Sequence, residues 1–367
     1  MEKTLTVNYQ EKPCYDIIFE HSFEGFPQAL EELGFKKRKF AIITDSNVDK
    51  LYAKEIEELI TPISSAVIKC VIPAGESNKN LSEIEKIYEE LILNHFDRHD
   101  LIIALGGGVV GDMAGYTAAN YLRGISFVQV PTTLLAQTDS SIGGKTGVDF
   151  KGYKNMIGAF HMPKLVYMNI LTLKSLDDRQ YISGFAEVMK HGLIKDADFY
   201  TWLIDNLYEI CERDIDVLTE MVSKSCDIKR RVVEKDPTEK GDRALLNFGH
   251  TLGHAIEKAK NFELSHGECV ALGSVAAAYI SWKKDMISME EYYEIRDMFV
   301  PFGLPISVED IDVDEVIKLT KSDKKADSDK IRFILLKKLG KAVIDTSVTD
   351  EDMKAALNEI LYVENND

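Results

Sequence analysis

The segment RALLNFGHTLGHAIE, residues 243–257, sets Arg243, Asn247, His250 and His254 at i, i+4, i+7 and i+11. On a helix these four form one stripe, and Leu245, Leu246, Phe248, Leu252 and Ile256 supply the apolar remainder. A buried helix that gives one face to a cation, an amide and two imidazoles must line a polar cavity, because burying such groups without partners is costly. His250 and His254, one turn apart, could both reach a metal ion. His266 in SHGE and Glu187 in GFAEVMKHG add an imidazole and a carboxylate from other helices, with Lys190 one turn after Glu187. A glutamate and two histidines from three helices, with coordination positions left open, suit a catalytic centre of the zinc type. For one such histidine alone, a core imidazole satisfied by its neighbours is the simpler reading; the shared stripe favours a site.

A second chemistry is carried by LIIALGGGVVGDMAG. An apolar run enters Gly106, Gly107 and Gly108, and a helix opens near Gly111, so G-x-G-x-x-G follows a strand. Backbone N–H groups and a helix N-terminus can hold a diphosphate there. The acid expected about 20 residues further on to hold a ribose is missing: Asp112 comes too early and Asp139 closes a different loop. That duty falls to Asp45, at the end of AIITD, helped by Glu76 and Lys79 in AGESNKN. A turn acid and a solvated charge pair are the competing readings. Further on, PTTLLAQTDSSIGGKTGVDFKGYKN contains Thr132, Thr133, Asp139, Ser140, Lys145, Lys154 and Asn155 in a polar, glycine-rich loop of 25 residues. Loops of that length are uncommon unless functional, and its lysines suit a phosphate or carboxylate.

The elements that must position these groups alternate in the first half. KFAIITD, SAVIKCVIPA, DLIIALGGG, ISFVQVPTT and KLVYMNI are short apolar runs, and amphipathic stretches separate the first three. This is the pattern of a parallel sheet covered on both faces. The N-terminal residues read as an edge strand or hairpin. From about Leu176 helical periodicity takes over, and only KIRFILL with GKAVIDTSV suggests a late hairpin. The expected fold class is α/β plus all-α: a Rossmann-like nucleotide-binding domain over residues 1–178, then a mainly helical metal- and substrate-binding domain over 179–367.

The bulk numbers narrow the function classes. The 367 residues are 45% hydrophobic and 29% charged, with a net charge of −17 that argues against nucleic acid or an acidic membrane as partner. No run of about 18 apolar residues suggests a membrane span. Five cysteines without metal-type spacing point to free thiols in a reducing compartment, and hence to a cytoplasmic protein. An anionic substrate would need local lysines and arginines set against the overall charge.

GGGVVGDMAGYTAANYLRG, VPTTLLAQTDSSIGGKTGVDFKGYKNMIGAF, SGFAEVMKHGLIKD, RALLNFGHTLGHAIE and SHGECVALG together resemble the 3-dehydroquinate synthase family of sugar-phosphate cyclases, in order, from about Asp45 to Gly340. The resemblance implies Glu187, His250 and His266 as ligands of one zinc or cobalt ion, with His254 beside them or shuttling a proton. It implies NAD on Asp45, on Gly75, Glu76, Ser77, Asn78 and Lys79, and on Gly107, Gly108, Val109, Val110, Gly111 and Asp112. Thr132, Thr133, Asp139, Ser140, Lys145, Lys154 and the segment Thr172, Leu173, Lys174 and Ser175 complete that set. Substrate and catalytic contacts would fall on Arg123, Lys145, Asn155, Lys190, Lys229, Glu239, Arg243, Asn247, His254, Lys324 and Lys325. Met162 stands where the family has glutamine. The implied reaction converts 3-deoxy-D-arabino-heptulosonate 7-phosphate, a small anionic sugar phosphate, to 3-dehydroquinate and phosphate. It runs through transient oxidation by NAD, phosphate elimination, reduction, ring opening and aldol closure. A homodimer is also implied. The rival readings are a metal-dependent polyol or glycerol-phosphate dehydrogenase, which would release NADH, and a cyclase for another sugar phosphate.

Overall fold

The computed structural model describes residues 3–322 and 331–362. The chain divides into two compact units: residues Met1–Leu176 with Leu218–Thr238, and Asp177–Val217 with Glu239–Asp367. A single cut after residue 178 therefore does not describe residues 218–238, which group with the N-terminal unit.

In that first unit β1 (Thr4–Tyr9), β2 (Lys12–Glu20), β3 (Lys39–Asp45), β4 (Ala66–Ile72), β5 (Leu101–Gly106), β6 (Ser126–Pro131) and β9 (Leu165–Asn169) build one seven-stranded sheet. Its order is β1-β2-β9-β6-β5-β3-β4. Every pairing is parallel except the N-terminal hairpin β1–β2, which puts β1 on the edge. The strands are apolar on both faces because both faces are covered. Phe40, Ile42, Leu101, Ile103 and Leu105 pack with α1 (Phe26–Glu32) and α2 (Lys54–Ile60), whereas Ala41, Ile43, Ile102 and Ala104 pack with α3 (Leu81–Leu93) and α4 (Gly108–Asn120). The chain passes from β3 to the edge strand β4 and then returns to β5 on the other side of β3. The carboxyl ends of β3 and β5 thus form the switch point at which open α/β sheets bind ligands.

Two expectations are corrected in this unit. Helix α4 opens at Gly108 and not near Gly111. The stretch 131–155 is not a structureless loop: a π-helical turn at Ala136–Ser140 leads into β7 (Lys145–Phe150), which pairs antiparallel with β8 (Tyr153–Phe160).

The second unit is mainly helical: α5 (Asp178–Lys195), α6 (Ala197–Asp205), α7 (Leu207–Cys211), α9 (His250–Ala259), α10 (His266–Lys283), α11 (Met289–Asp297), α12 (Val313–Ser322) and α13 (Asp350–Ile360). Helix α8 (Ile215–Lys235) lies in the first unit from Leu218 onward. The late hairpin is present as β10 (Phe333–Lys338) and β11 (Lys341–Asp345). Residues 243–257 are not one helix. A 3₁₀ segment, Asp242–Asn247, ends at Phe248, and α9 begins afresh at His250. The break sits at Gly249, whose φ of +78 is a left-handed conformation that suits glycine. His250 and His254 still share a face of α9, but Arg243 and Asn247 belong to a different element.

Candidate active site

Glu187, on α5, is 1% exposed. Its Oε1 lies 3.0 Å from His266 Nε2 and 3.3 Å from His250 Nε2. Its Oε2 is ion-paired with Lys190, itself buried on the next turn. One ligand atom from each of Glu187, His250 and His266 lies within 4.8 Å of the others. His250 Nδ1 is 3.0 Å from the Phe248 carbonyl. An N–H donated there leaves the Nε2 lone pair facing a carboxylate oxygen, and two lone pairs so placed repel unless a proton or cation lies between them. Bonds of about 2.0–2.1 Å to a tetrahedral ion separate neighbouring donor atoms by roughly 3.3 Å, close to the two spacings observed. The donor set and its geometry therefore fit a divalent cation. His254 stands beside it, its ring centroid 5.1 Å from that of His250.

Local structure explains the convergence. Ser265 and Glu268 close a capping box at the start of α10 and satisfy two otherwise orphaned N–H groups, which seats His266 at the first helical position. The next residue, Gly267, donates its N–H to Ser183 Oγ on α5 at 2.9 Å. A Cβ at Gly267 would lie 2.1 Å from the Ser183 carbonyl oxygen, so α10 can approach α5 this closely only through glycine. Ser183 is one turn before Glu187, and this contact brings the imidazole to the carboxylate.

Electrostatics favour the ionised carboxylate. Burial pushes the Glu187 carboxyl up, but Lys190 and the two histidines outweigh it and hold it well below the usual range. Burial pulls His266 down, yet the hydrogen bond and charge of Glu187, with Glu257 adding to them, leave it raised. A proton and a metal compete for the same Nε2, so metal affinity should begin to fall above the pH at which an ordinary histidine protonates, and fall further as pH drops. Chelator-competition titrations across pH 5–8 measure this; affinity independent of pH over that range would contradict it.

In the first unit, Asp45 and Gly106 end β3 and β5 at the switch point. The first turn of α4, Gly108 to Gly111, starts directly behind Gly107. The buried hydroxyls of Thr44 and Thr132, at or just past the carboxyl ends of β3 and β6, have no hydrogen-bond partner among the described residues. A dinucleotide fits such a strand–turn–helix end with orphaned hydroxyls.

Several sequence candidates are engaged with one another. Buried Lys79 donates to Asp112 at 2.7 Å and to Asn155 at 2.6 Å; burial pulls its pKa down, but Asp112 and Glu76 more than restore it. Lys229 Nζ reaches Asp139 Oδ1 at 2.7 Å. Asp45 Oδ1 accepts from the N–H groups of Asn47 and Val48, as a turn acid does. The Thr172 hydroxyl accepts from Gln137 and donates to Asn169 O. Gly75 precedes the turn Glu76–Asn78, and Thr133 Oγ1 accepts from Ala136 N. Arg123 and Lys145 are exposed, and Arg123 has a left-handed φ of +67. In the second unit Arg243 is buried and Asn247 donates to Glu239 at 3.0 Å. Lys324 and Lys325 lie outside the described residues. Sequence reasoning passed over Ser183, Ser265 and Glu257; the capping pattern S-x-x-E and the i, i+3 spacing of His254 and Glu257 were the available signals.

A parallel-sheet unit with a nucleotide-type turn and a mainly helical unit make up a fold that sugar-phosphate cyclases share. A 2-deoxy-scyllo-inosose synthase, whose crystal structure holds carbaglucose-6-phosphate, NAD⁺ and Co²⁺, superposes with a TM-score of 0.87 at 26% identity, covering 98% of this chain and 100% of that one. A 2-epi-5-epi-valiolone synthase from Streptomyces hygroscopicus shares the fold, with a TM-score of 0.88 at 24% identity over 97% and 99% of the two chains. Residues 69–183 match the N-terminal model of 3-dehydroquinate synthase and residues 184–326 the C-terminal model. The 3-dehydroquinate synthase of Acetivibrio thermocellus is 46% identical over 349 residues, covering 95% of this chain and 96% of that protein. The chain belongs to the 3-dehydroquinate synthase family.

Proposed function

We propose that the protein converts 3-deoxy-D-arabino-heptulosonate 7-phosphate to 3-dehydroquinate and phosphate, a step of the shikimate pathway, with NAD and one zinc or cobalt ion. The observation that carries this reading is the convergence of Glu187, His250 and His266 in a chain that matches this family over most of its length. When bound, NAD supplies a reversible hydride acceptor and the cation a Lewis acid that acidifies a carbinol. The protein's own groups do the rest. Lys190 keeps Glu187 ionised and available as a ligand. His254 is placed to relay a proton beside the cluster. Lys79 holds Asp112 and Asn155 in place, and Lys229 holds Asp139. Arg123, Lys145, Lys154 and Arg243 supply positive charge for a carboxylate and a phosphate in an otherwise acidic chain.

Hydride is borrowed and returned, so turnover should release phosphate stoichiometrically without accumulating NADH, and a chelator should abolish it. NADH building up in step with turnover would instead identify a dehydrogenase, which the family match disfavours. Competition with other sugar phosphates separates the remaining cyclase alternative.

The five cysteines are all free, which favours a cytoplasmic location; fractionation of cells producing the protein tests it. Among the described residues no helix is long and apolar enough to cross a membrane. Phe150, Tyr153, Met156 and Phe160 expose apolar surface on the β7–β8 hairpin, which supports a homodimer. Light scattering should give twice the 41.4 kDa chain mass; a monomer at micromolar concentration would exclude it.

A further inference from the structure

Each metal-bound histidine needs a partner for its other ring nitrogen, because that hydrogen bond sets the tautomer and orients the ring. For His250 the partner is the Phe248 carbonyl. His266 turns Nε2 toward Glu187, which leaves Nδ1 for a second group. Glu257, on α9, is 5% exposed, and a buried carboxylate is costly unless it is paired. One ligand atom from each of His254, Glu257 and His266 lies within 4.8 Å of the others. Glu257 follows His254 by three residues, so α9 presents both to the same side.

The charge of Glu257 already acts on His266. We propose that Glu257 is a positioning residue of the metal centre: with the ion in place it takes up the Nδ1–H of His266, fixes that imidazole with Nε2 toward the ion, and confines His254 beside it. The inference rests on the metal reading above. Glu257 touches neither ion nor substrate in this scheme and acts through His266. A purely structural role would be a pairing with His254 that leaves the metal indifferent.

The test uses Co²⁺ alone, with the full-length protein. Glu257→Gln keeps the shape and removes the charge. It should weaken Co²⁺ binding 10- to 100-fold in chelator competition, alter the visible absorption of the bound cobalt, and lower kcat with little change in KM. Glu257→Asp should restore part of the affinity. A folded Glu257→Gln protein with wild-type affinity and spectrum overturns the proposal. Should that variant fail to fold, ¹⁵N imidazole spectra of the zinc-loaded wild-type protein decide. His266 protonated on Nδ1 with a strong hydrogen bond supports the assignment, and any other state rejects it. If the wild-type protein binds no Co²⁺ at all, the metal reading itself falls, which is a distinct result.

Discussion

His266→Ala should yield a folded protein that no longer retains a divalent metal and releases phosphate at a rate lower by on the order of 10³-fold or more. The size follows from what is lost: a Lewis acid contributes several kcal/mol to stabilising charge in a transition state, and each 1.36 kcal/mol is about tenfold in rate. The fold should survive. His266 is the first residue of α10, its side chain is 29% exposed, and the cap is made by Ser265 and Glu268 and not by the imidazole. Glu187 keeps its ion pair with Lys190 after the substitution, so that buried carboxylate is not orphaned. NAD affinity should stay near wild type, because the groups proposed to hold the nucleotide lie in the first unit. Metal content, phosphate release and NAD titration on the same preparation provide the check. A metal-free variant within tenfold of wild-type turnover would remove the cation from the mechanism.

The parts of the molecule legible in the sequence were those with strong local signals. β3 and β5 read clearly because a strand buried on both faces is a continuous apolar run, and KFAIITD and LIIALG are such runs. The β7–β8 hairpin was hidden because KTGVDF and YKNMIGAF break up their apolar residues with glycine, charge and amide and show no strict alternation, and β8 is largely exposed. The break at Gly249 was masked by periodicity: the polar residues keep helical spacing across it, while the φ that interrupts the helix depends on packing against Val270 and Ser274 of α10. The placement of residues 218–238 in the first unit is a tertiary fact that no local pattern encodes. Among the site residues, types and spacing nominated the histidines and Glu187, but not which pairs would form. Lys79, Asp112 and Asn155 are separated by 33 and 43 residues in sequence, and only the folded chain reveals that Lys79 bonds to both of the others.

Gly267→Ala should damage the metal centre without removing any ligand. The new methyl would sit 2.1 Å from Ser183 O and 2.4 Å from Ser183 Cα, and both atoms are α5 backbone with no rotamer to relieve the clash. Ordinary carbon contacts need about 3.5 Å or more, so the first turn of α10 must retreat by about 1 Å. That withdraws His266 from Glu187 and stretches the Gly267–Ser183 hydrogen bond. Overpacking of this kind costs about 1–3 kcal/mol, and more where only backbone can yield. Thermal midpoint should fall by about 5 °C, and Co²⁺ affinity should drop at least tenfold. Gly34→Asn makes the matched control. Gly34 has a positive φ, but a Cβ there meets nothing within 4 Å, and asparagine tolerates that conformation. The control should keep wild-type metal affinity, since residue 34 lies in the other unit. The contrast separates general strain from displacement of one ligand, because only the Gly267 variant moves the turn that carries His266. Wild-type Co²⁺ affinity in Gly267→Ala would mean that the close approach of α10 to α5 is not what seats the imidazole.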